Sequence, residues 1–283
     1  VLPKIGIVTD STADIPDDLV QELGITVVPL KVIFDDHEVL RDGVDIQREE
    51  FYDRLQKAKT LPRTSQPTPA EFAATYENLA TKYETIISIH ISSKMSGTIQ
   101  SARMGAQMVP GADIVVIDST YVSMGCGLIV LEAAKAAQAG KTKEEILSLI
   151  DQMISRMLVY FIPETLEYLE KGGRIGKAQA FAGTLLSIKP IVYISEGIIH
   201  PYEKVRGRKR AIERLVQVVS EKVGRKEVLC ALPHGMDPEG VEELRKRVVT
   251  QLNVVAEPIV YVPGAIVGTH AGPGVLGLIC CPE

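Results

Sequence analysis

The residues best suited to chemistry in this chain are small hydroxyl residues at the ends of apolar runs. Ser92-Ser93-Lys94-Met95-Ser96-Gly97-Thr98-Ile99-Gln100-Ser101 follows directly on the apolar run 85–91. An isoleucine-rich run that breaks into hydroxyls and resumes at helical spacing is a buried strand ending at a helix N-terminus. The first N–H groups of a helix lack intrahelical partners and carry the positive end of its dipole, so they favour an anion such as a carboxylate or phosphate. Ser96 and Thr98 add hydroxyls there, and Gly97 lets a ligand approach the backbone. Taken alone, Ser96 also reads as an ordinary N-cap. Two further clusters, Thr64-Ser65-Gln66-Pro67-Thr68-Pro69 and Thr9-Asp10-Ser11-Thr12-Ala13-Asp14, stand before helical patterns. His270 lies between Thr269 and Gly272-Pro273-Gly274, where an imidazole and turn N–H groups can face an anion; a role in the turn itself is the competing reading.

Covalent chemistry finds little support. Asp10 and Asp14 do not make a D-x-D phosphotransferase loop, since Thr12 stands where the second acid would be. Ser96 is not in a G-x-S-x-G elbow, because Lys94 replaces the first glycine. Gly173-Arg174-Ile175-Gly176-Lys177-Ala178 lacks the spacing and the hydroxyl residue of a Walker A loop, so ATP binding by this chain is not expected. Cys126, Cys230, Cys280 and Cys281 have neither C-x-x-C spacing nor a nearby histidine pair, so they read as buried free thiols with no metal site.

The hydroxyl clusters and the glycine-rich segments complete a pattern. Val8–Asp14 reads V-x-D-S-T-A-D, Thr64–Pro67 reads T-S-Q-P, Ser92–Ala102 reads S-S-x-x-S-G-T-x-x-S-A, Lys171–Ile175 reads K-G-G-R-I, and Thr269–Gly274 reads T-H-x-G-P-G. In that order, over nearly the whole chain, they resemble the DegV family. The resemblance implies a non-catalytic lipid carrier that holds one long-chain fatty acid, such as palmitate, with no other cofactor. It further implies a partner, the ATP-dependent subunit of a fatty acid kinase, to which the carboxylate is presented. The head-group ligands carried over from the motifs are Thr64, Ser65, Ser96, Gly97 and Thr98, with Asp10, Ser11 and His270. The alternative is a hydrolase or transferase with Ser96 as nucleophile and His270 as base.

A lipid site needs apolar walls, and Phe181, Leu185, Leu186, Ile188, Ile191, Val192 and Ile194 are candidates, with ordinary core as the plainer reading of each. Each buried methylene contributes about 0.8 kcal/mol, so a long tail can drive binding while neutral donors orient the head. The run Lys204-Val205-Arg206-Gly207-Arg208-Lys209-Arg210 is basic in an acidic protein, and cations at a helix start oppose its dipole. A solvated hairpin end is its plain reading. With Arg174, the arginines Arg206 and Arg208 form the candidate docking surface for a kinase; transient contact with membrane headgroups is a second use of the same charges.

The elements that must position these residues follow from pattern and composition. The chain has 283 residues, 46% apolar and 24% charged, with a net charge of −5, which suits a globular protein and not a nucleic-acid binder. Val1-Leu2-Pro3-Lys4 runs straight into an apolar stretch, and no apolar run reaches the length of a membrane span, so a cytoplasmic protein without a signal peptide is expected. Strands are predicted at 5–8, 27–34, 86–91 and 114–117, and helices at 16–23, 48–57, 69–82, 97–108, 124–139 and 143–157. This alternation gives a parallel sheet covered on both faces. Ligands in such sheets sit beyond the carboxyl ends of the strands, so residues 10–12, 92–98 and 119–123 should converge on one edge. Short helices at 163–171 and 177–187, a hairpin of 191–195 and 198–205, helices at 209–222 and 239–252, and strands at 228–232 and 254–262 give the second half a different texture. The expected architecture is α/β in two domains. An N-terminal parallel-sheet domain spans 1–160 and a C-terminal α+β domain with a mixed or antiparallel sheet spans 161–283, with the ligand held between them.

Overall fold

The structure, a computed structural model, describes residues 4–35, 37–183 and 187–283. Its first half runs β1 (Ile5–Asp10), α1 (Asp17–Glu22), β2 (Thr26–Val28), β3 (Lys31–Phe34), β4 (Glu38–Arg41), α2 (Arg48–Lys57), β5 (Arg63–Ser65), α3 (Pro69–Ala80), β6 (Thr85–His90), α4 (Thr98–Gln107), β7 (Asp113–Asp118), α5 (Met124–Gln138) and α6 (Lys143–Arg156). The second runs β8 (Leu158–Ile162), α7 (Glu167–Lys171), β9 (Ile188–Ser195), β10 (Ile198–Arg206), α8 (Arg208–Val223), β11 (Glu227–Pro233), α9 (Pro238–Gln251), β12 (Asn253–Val254), β13 (Ile259–Tyr261), α10 (Ala265–Ala271) and β14 (Leu276–Pro282).

Three sheets result. The four-stranded order β2-β1-β6-β7 is parallel throughout, as the strand–helix alternation requires. The mixed sheet has the order β10-β9-β8-β14-β11-β12, with β13 also on β11. A small antiparallel sheet, β4-β3-β5, stands apart from both. The architecture is therefore α/β with an N-terminal parallel sheet and a C-terminal mixed sheet. Residue 160 falls inside β8, and the change of sheet comes at Met157.

Some elements depart from the sequence pattern for identifiable reasons. The apolar run 27–34 is two strands in two sheets, because Pro29 has no N–H to give to a ladder and the Leu30 N–H goes to Ser11 Oγ, 3.1 Å away. Residues 254–262 likewise divide into β12 and β13 around Pro258. The strands β4 and β5 are too short and polar to show a period of two, and α10 hides in a glycine-rich segment. Gly176–Phe181 is a 3-10 stretch, and the rest of the helix expected over 177–187, with Leu185 and Leu186, runs into residues outside the described ones.

The helix α5 is apolar around most of its circumference, with Met124 to Leu131 buried without a break. That pattern belongs to a helix covered on all sides, and α5 lies against β1 and β6 of the parallel sheet and β11 and β14 of the mixed one. The opposite face of the mixed sheet closes on α8 and α9 through Ile212, Leu215, Val219, Leu244 and Val248. Helix α3 starts at a capping box, with Thr68 Oγ1 accepting the Glu71 N–H and the Glu71 carboxylate accepting the Thr68 N–H. It lies so close to α4 that a Cβ on Gly105 would stand 2.6 Å from Phe72 Cβ and 2.8 Å from the Pro69 carbonyl oxygen.

This close approach sets the position of the α4 N-terminus. Gly105→Ala should therefore destabilise the protein by about 1–2 kcal/mol, the clash with backbone outweighing alanine's better helix propensity. Urea denaturation measures it, and a stabilised variant would refute the close packing.

Candidate functional site

The carboxyl ends of β1, β6 and β7 open on a cavity bounded on its other side by the mixed sheet. It holds roughly 960 Å³ of space free of protein atoms, its open mouth and the solvent there included. Its walls are mostly aliphatic: Ile91 and Val122 from the first half, Ile194, Ile199 and Ile279 from the second. At one end the wall turns polar, with Thr64, Gln66, Ser96, Arg174 and His270.

Each polar residue has a structural cause for its place. Ser96 precedes Gly97, the N-cap of α4, which makes no side-chain cap; Ser96 Oγ instead accepts the Thr98 N–H at 3.3 Å and bonds Thr98 Oγ1 at 2.9 Å. Thr64 is carried by β5, whose partner β3 fixes it opposite Val32. His270 is in the last turn of α10 rather than in a flexible turn, and Gly272, at φ 76°, ends the helix behind it. Its Nε2 lies 3.0 Å from Thr64 Oγ1, while Nδ1 is buried without a partner. The ring presses on Gly172, where any Cβ would collide with Nδ1, which explains the glycine in K-G-G-R-I. Burial, then the positive charge of Arg174, push the His270 pKa down to about 4, so the imidazole is neutral at pH 7. Arg174 is exposed at the rim and donates to the Met95 carbonyl at 3.1 Å and the Gly172 carbonyl at 2.7 Å.

Other expected residues stand elsewhere. Asp10 does not face the cavity. Its carboxylate accepts from Thr12 N at 3.0 Å, Thr12 Oγ1 at 2.5 Å and Ile91 N at 3.2 Å, and bonds His90 Nδ1 at 2.9 Å, so it ties β1 to β6. From His90 the chain continues to Ser88 (2.7 Å) and Tyr76 (2.8 Å). This Asp–His–Ser array resembles a hydrolytic triad in composition, but its members are buried, and of them Asp10 alone borders the adjoining pocket. Ser11 accepts from Leu30 and lines an adjoining pocket with Asp14 and Asp42. Ser65 is exposed with its hydroxyl on the Gln66 carbonyl, and Thr98 is fully buried behind Ser96. Gly97 acts through its missing side chain, since a Cβ there would sit 2.5 Å from Gln66 Nε2.

Among the expected walls, Ile194 lines the cavity; Ile191 faces the α8–α9 core, Val192 is interior packing, and Phe181 and Ile188 are not in the lining. Of the basic residues, Arg206 is exposed. Arg208 is not a free surface cation: it is paired with Glu164 at 2.9 Å and with Asp237, and donates to the Gly274 carbonyl at 2.6 Å. Gln66, Thr12 and Ser123 line the cavity without having been singled out individually, although Gln66 stands in the T-S-Q-P motif. No helix among the described residues is long and apolar enough to cross a membrane, and among them no cluster of His, Cys, Asp and Glu could hold a metal.

Beneath α10 the Asp14 carboxylate accepts from Gly264 N at 2.7 Å and Ser123 Oγ at 2.5 Å, and Asp42 accepts from Ala265 N at 2.8 Å. Ser123 also bonds the Tyr261 hydroxyl at 2.6 Å, and it holds φ 57° to do so. Burial raises the Asp14 pKa to about 7 against these bonds, and raises that of Asp42.

The comparisons with known proteins agree with this architecture. Residues 4–283 match the family model described as "Uncharacterised protein, DegV family". A DegV domain-containing protein of Listeria innocua is 38% identical over 277 residues, 97% of each chain. Among solved structures, a fatty-acid-binding DegV family protein of Thermus thermophilus superposes with a TM-score of 0.94 at 36% identity, covering 99% of this chain and 100% of that one. A stearic acid-binding protein of Eubacterium ventriosum gives 0.91 at 27% identity, covering 98% of each. The chain belongs to the DegV family.

His270 and Asp14 act oppositely on stability, and Asp42, also raised, acts in the same direction as Asp14. His270 takes up its proton at about pH 4 when folded, against an ordinary value of 6.5, so its contribution is present above 6.5 and lost as the pH falls. Asp14, raised from 3.8 to about 7, contributes below 3.8 and loses that contribution as the pH rises. Relative to the unaltered protein, Asp14→Asn should therefore make the slope of stability against pH more positive between about pH 4.5 and pH 6.5, and His270→Gln should make it more negative. Urea midpoints at the two pH values read the slopes; equal slopes in the two variants would overturn the assignment.

Proposed function

We propose that this protein is a non-catalytic carrier that holds one long-chain fatty acid, with its tail in the aliphatic cavity and its carboxylate at Thr64, Ser96 and His270. The observation that supports the reading is the lining of the cavity: mostly aliphatic walls with one polar end, where Thr64, Ser96 and neutral His270 stand beside Arg174. Tail burial at about 0.8 kcal/mol per methylene supplies the affinity, so the head contacts need only orient the acid. His270, neutral and hydrogen-bonded to Thr64, suits that task. With the proton on Nε2 it donates to Thr64 Oγ1, leaving the threonine hydroxyl to donate to a carboxylate oxygen; the buried Nδ1 is then an acceptor and no N–H is stranded. The fatty acids named for the Thermus and Eubacterium relatives support the same ligand class here.

Such an acid, with its head at an open rim, would be within reach of a separate ATP-dependent kinase subunit that phosphorylates it. Arg174 at the rim and exposed Arg206 are the charges that would steer that partner, while Arg208 is spent on Glu164 and Asp237. The hydrolase reading lacks a supporting contact, since His270 Nε2 meets Thr64 and Ser96 Oγ meets Thr98.

Solvent extraction and mass spectrometry of purified protein should recover about one fatty acid per chain. Thr64→Val with Ser96→Ala should raise the dissociation constant roughly 5- to 100-fold through two lost neutral hydrogen bonds while the protein stays folded. Arg174→Ala and Arg206→Ala should lower partner-dependent acyl phosphate formation at unchanged lipid content. Unchanged affinity in the double variant would sink the head-group assignment, and an empty protein that cleaves model esters would sink the carrier.

A further inference from the structure

Two of the four cysteines face each other across the mixed sheet. Strands β11 and β14 run antiparallel, and Cys230 is directly opposite Cys280 in their register. Residues so opposed have Cα atoms about 4.5 or 5.5 Å apart, and either value lies within the span of a disulfide. The two Sγ atoms are 2.9 Å apart as free thiols, within an ångström of the bonded length of about 2.05 Å. Both side chains lie on the face of the sheet that packs on α8 and α9.

The other two cysteines are excluded by geometry. Neighbouring residues in a strand point to opposite faces, so Cys281, although adjacent to Cys280, belongs to the core on the α5 side. Cys126 is on α5 itself, with its thiol pushed up to about 12 by burial.

We propose that Cys230 and Cys280 are a disulfide-forming pair, closed by a peroxide, that cross-links β11 to β14 behind the cavity wall. The Cys230 sulfur attacks hydrogen peroxide, forming an S–O bond as the O–O bond breaks; one water leaves and Cys230 is a sulfenic acid. The Cys280 sulfur then attacks that sulfur. The S–S bond forms, the S–O bond breaks, and the departing hydroxide takes the Cys280 proton as a second water. Two thiols are oxidised, one peroxide is reduced, and no other reactant is needed.

Both thiols are buried and burial raises the Cys280 pKa well above its ordinary value, so the reaction waits on the rare openings that let peroxide reach them and is slow. Once made, the bond closes a long loop and restricts the unfolded chain. Ile279 and Gly277 of β14 line the cavity while Cys280 points away from it, so the link stiffens the wall without placing an atom in the ligand space.

The whole protein is treated with hydrogen peroxide in its folded state, quenched with catalase, unfolded and alkylated. Expected are a fall from four alkylated thiols to two, a peptide pair joining Cys230 to Cys280 that is lighter by two hydrogens, and a melting temperature raised by roughly 5–10 °C that dithiothreitol reverses. Cys230→Ser should show neither the joined peptides nor the shift. Should that variant not fold, the peptide map of the unaltered protein decides. Four alkylated thiols after treatment, or a link through Cys126 or Cys281, would overturn the pairing.

Discussion

The grip of two buried carboxylates on the start of α10 is the interaction on which the candidate site rests. Asp14, just beyond β1, and Asp42, just beyond β4, take the N–H groups of Gly264 and Ala265. An unpaired helix N-terminus buried at this depth would be costly, and a carboxylate answers both its open donors and its dipole. The helix they hold carries Ile266, Val267 and His270 into the cavity wall. Asp14 reaches further still, through Ser123, which itself lines the cavity, to Tyr261. The same few groups thus join the first strand, the start of α5, the mixed sheet and the cavity.

Around that junction the two ends of the ligand space have opposite characters. The apolar walls come from strands of the mixed sheet together with α10, and the polar end from short, irregular pieces: β5, the turn before α4 and the last turn of α10. At the polar end two glycines make room for side chains, Gly97 for Gln66 and Gly172 for His270.

The parallel sheet and its helices were legible because β1, β6 and β7 are unbroken apolar runs between amphipathic helices, where local pattern and tertiary burial agree. The small sheet was not, since β4 and β5 owe their form to pairing with β3 and not to any period of their own. Thr64, Ser96 and His270 were legible through motifs, and the structure brings all three to one cavity. The same motifs contain Asp10, whose carboxylate takes four hydrogen bonds from three residues, two of which, in β6 and the turn after it, no reading along the chain would bring beside it. Arg208 shows the same limit. Its charge stands out in a basic run, but its partners Glu164 and Asp237 are 44 and 29 residues away.

The helix α5 has a consequence for how the molecule comes apart. Because its circumference is shared between the parallel sheet and the mixed sheet, neither sheet can be withdrawn without wetting a helix that has almost no polar side. The hydrophobic cost of such an exposure couples the two halves far more tightly than a polar domain interface would. Shared burial of this kind favours melting as one cooperative unit, and the cavity, bounded by both sheets, exists only while that unit is whole.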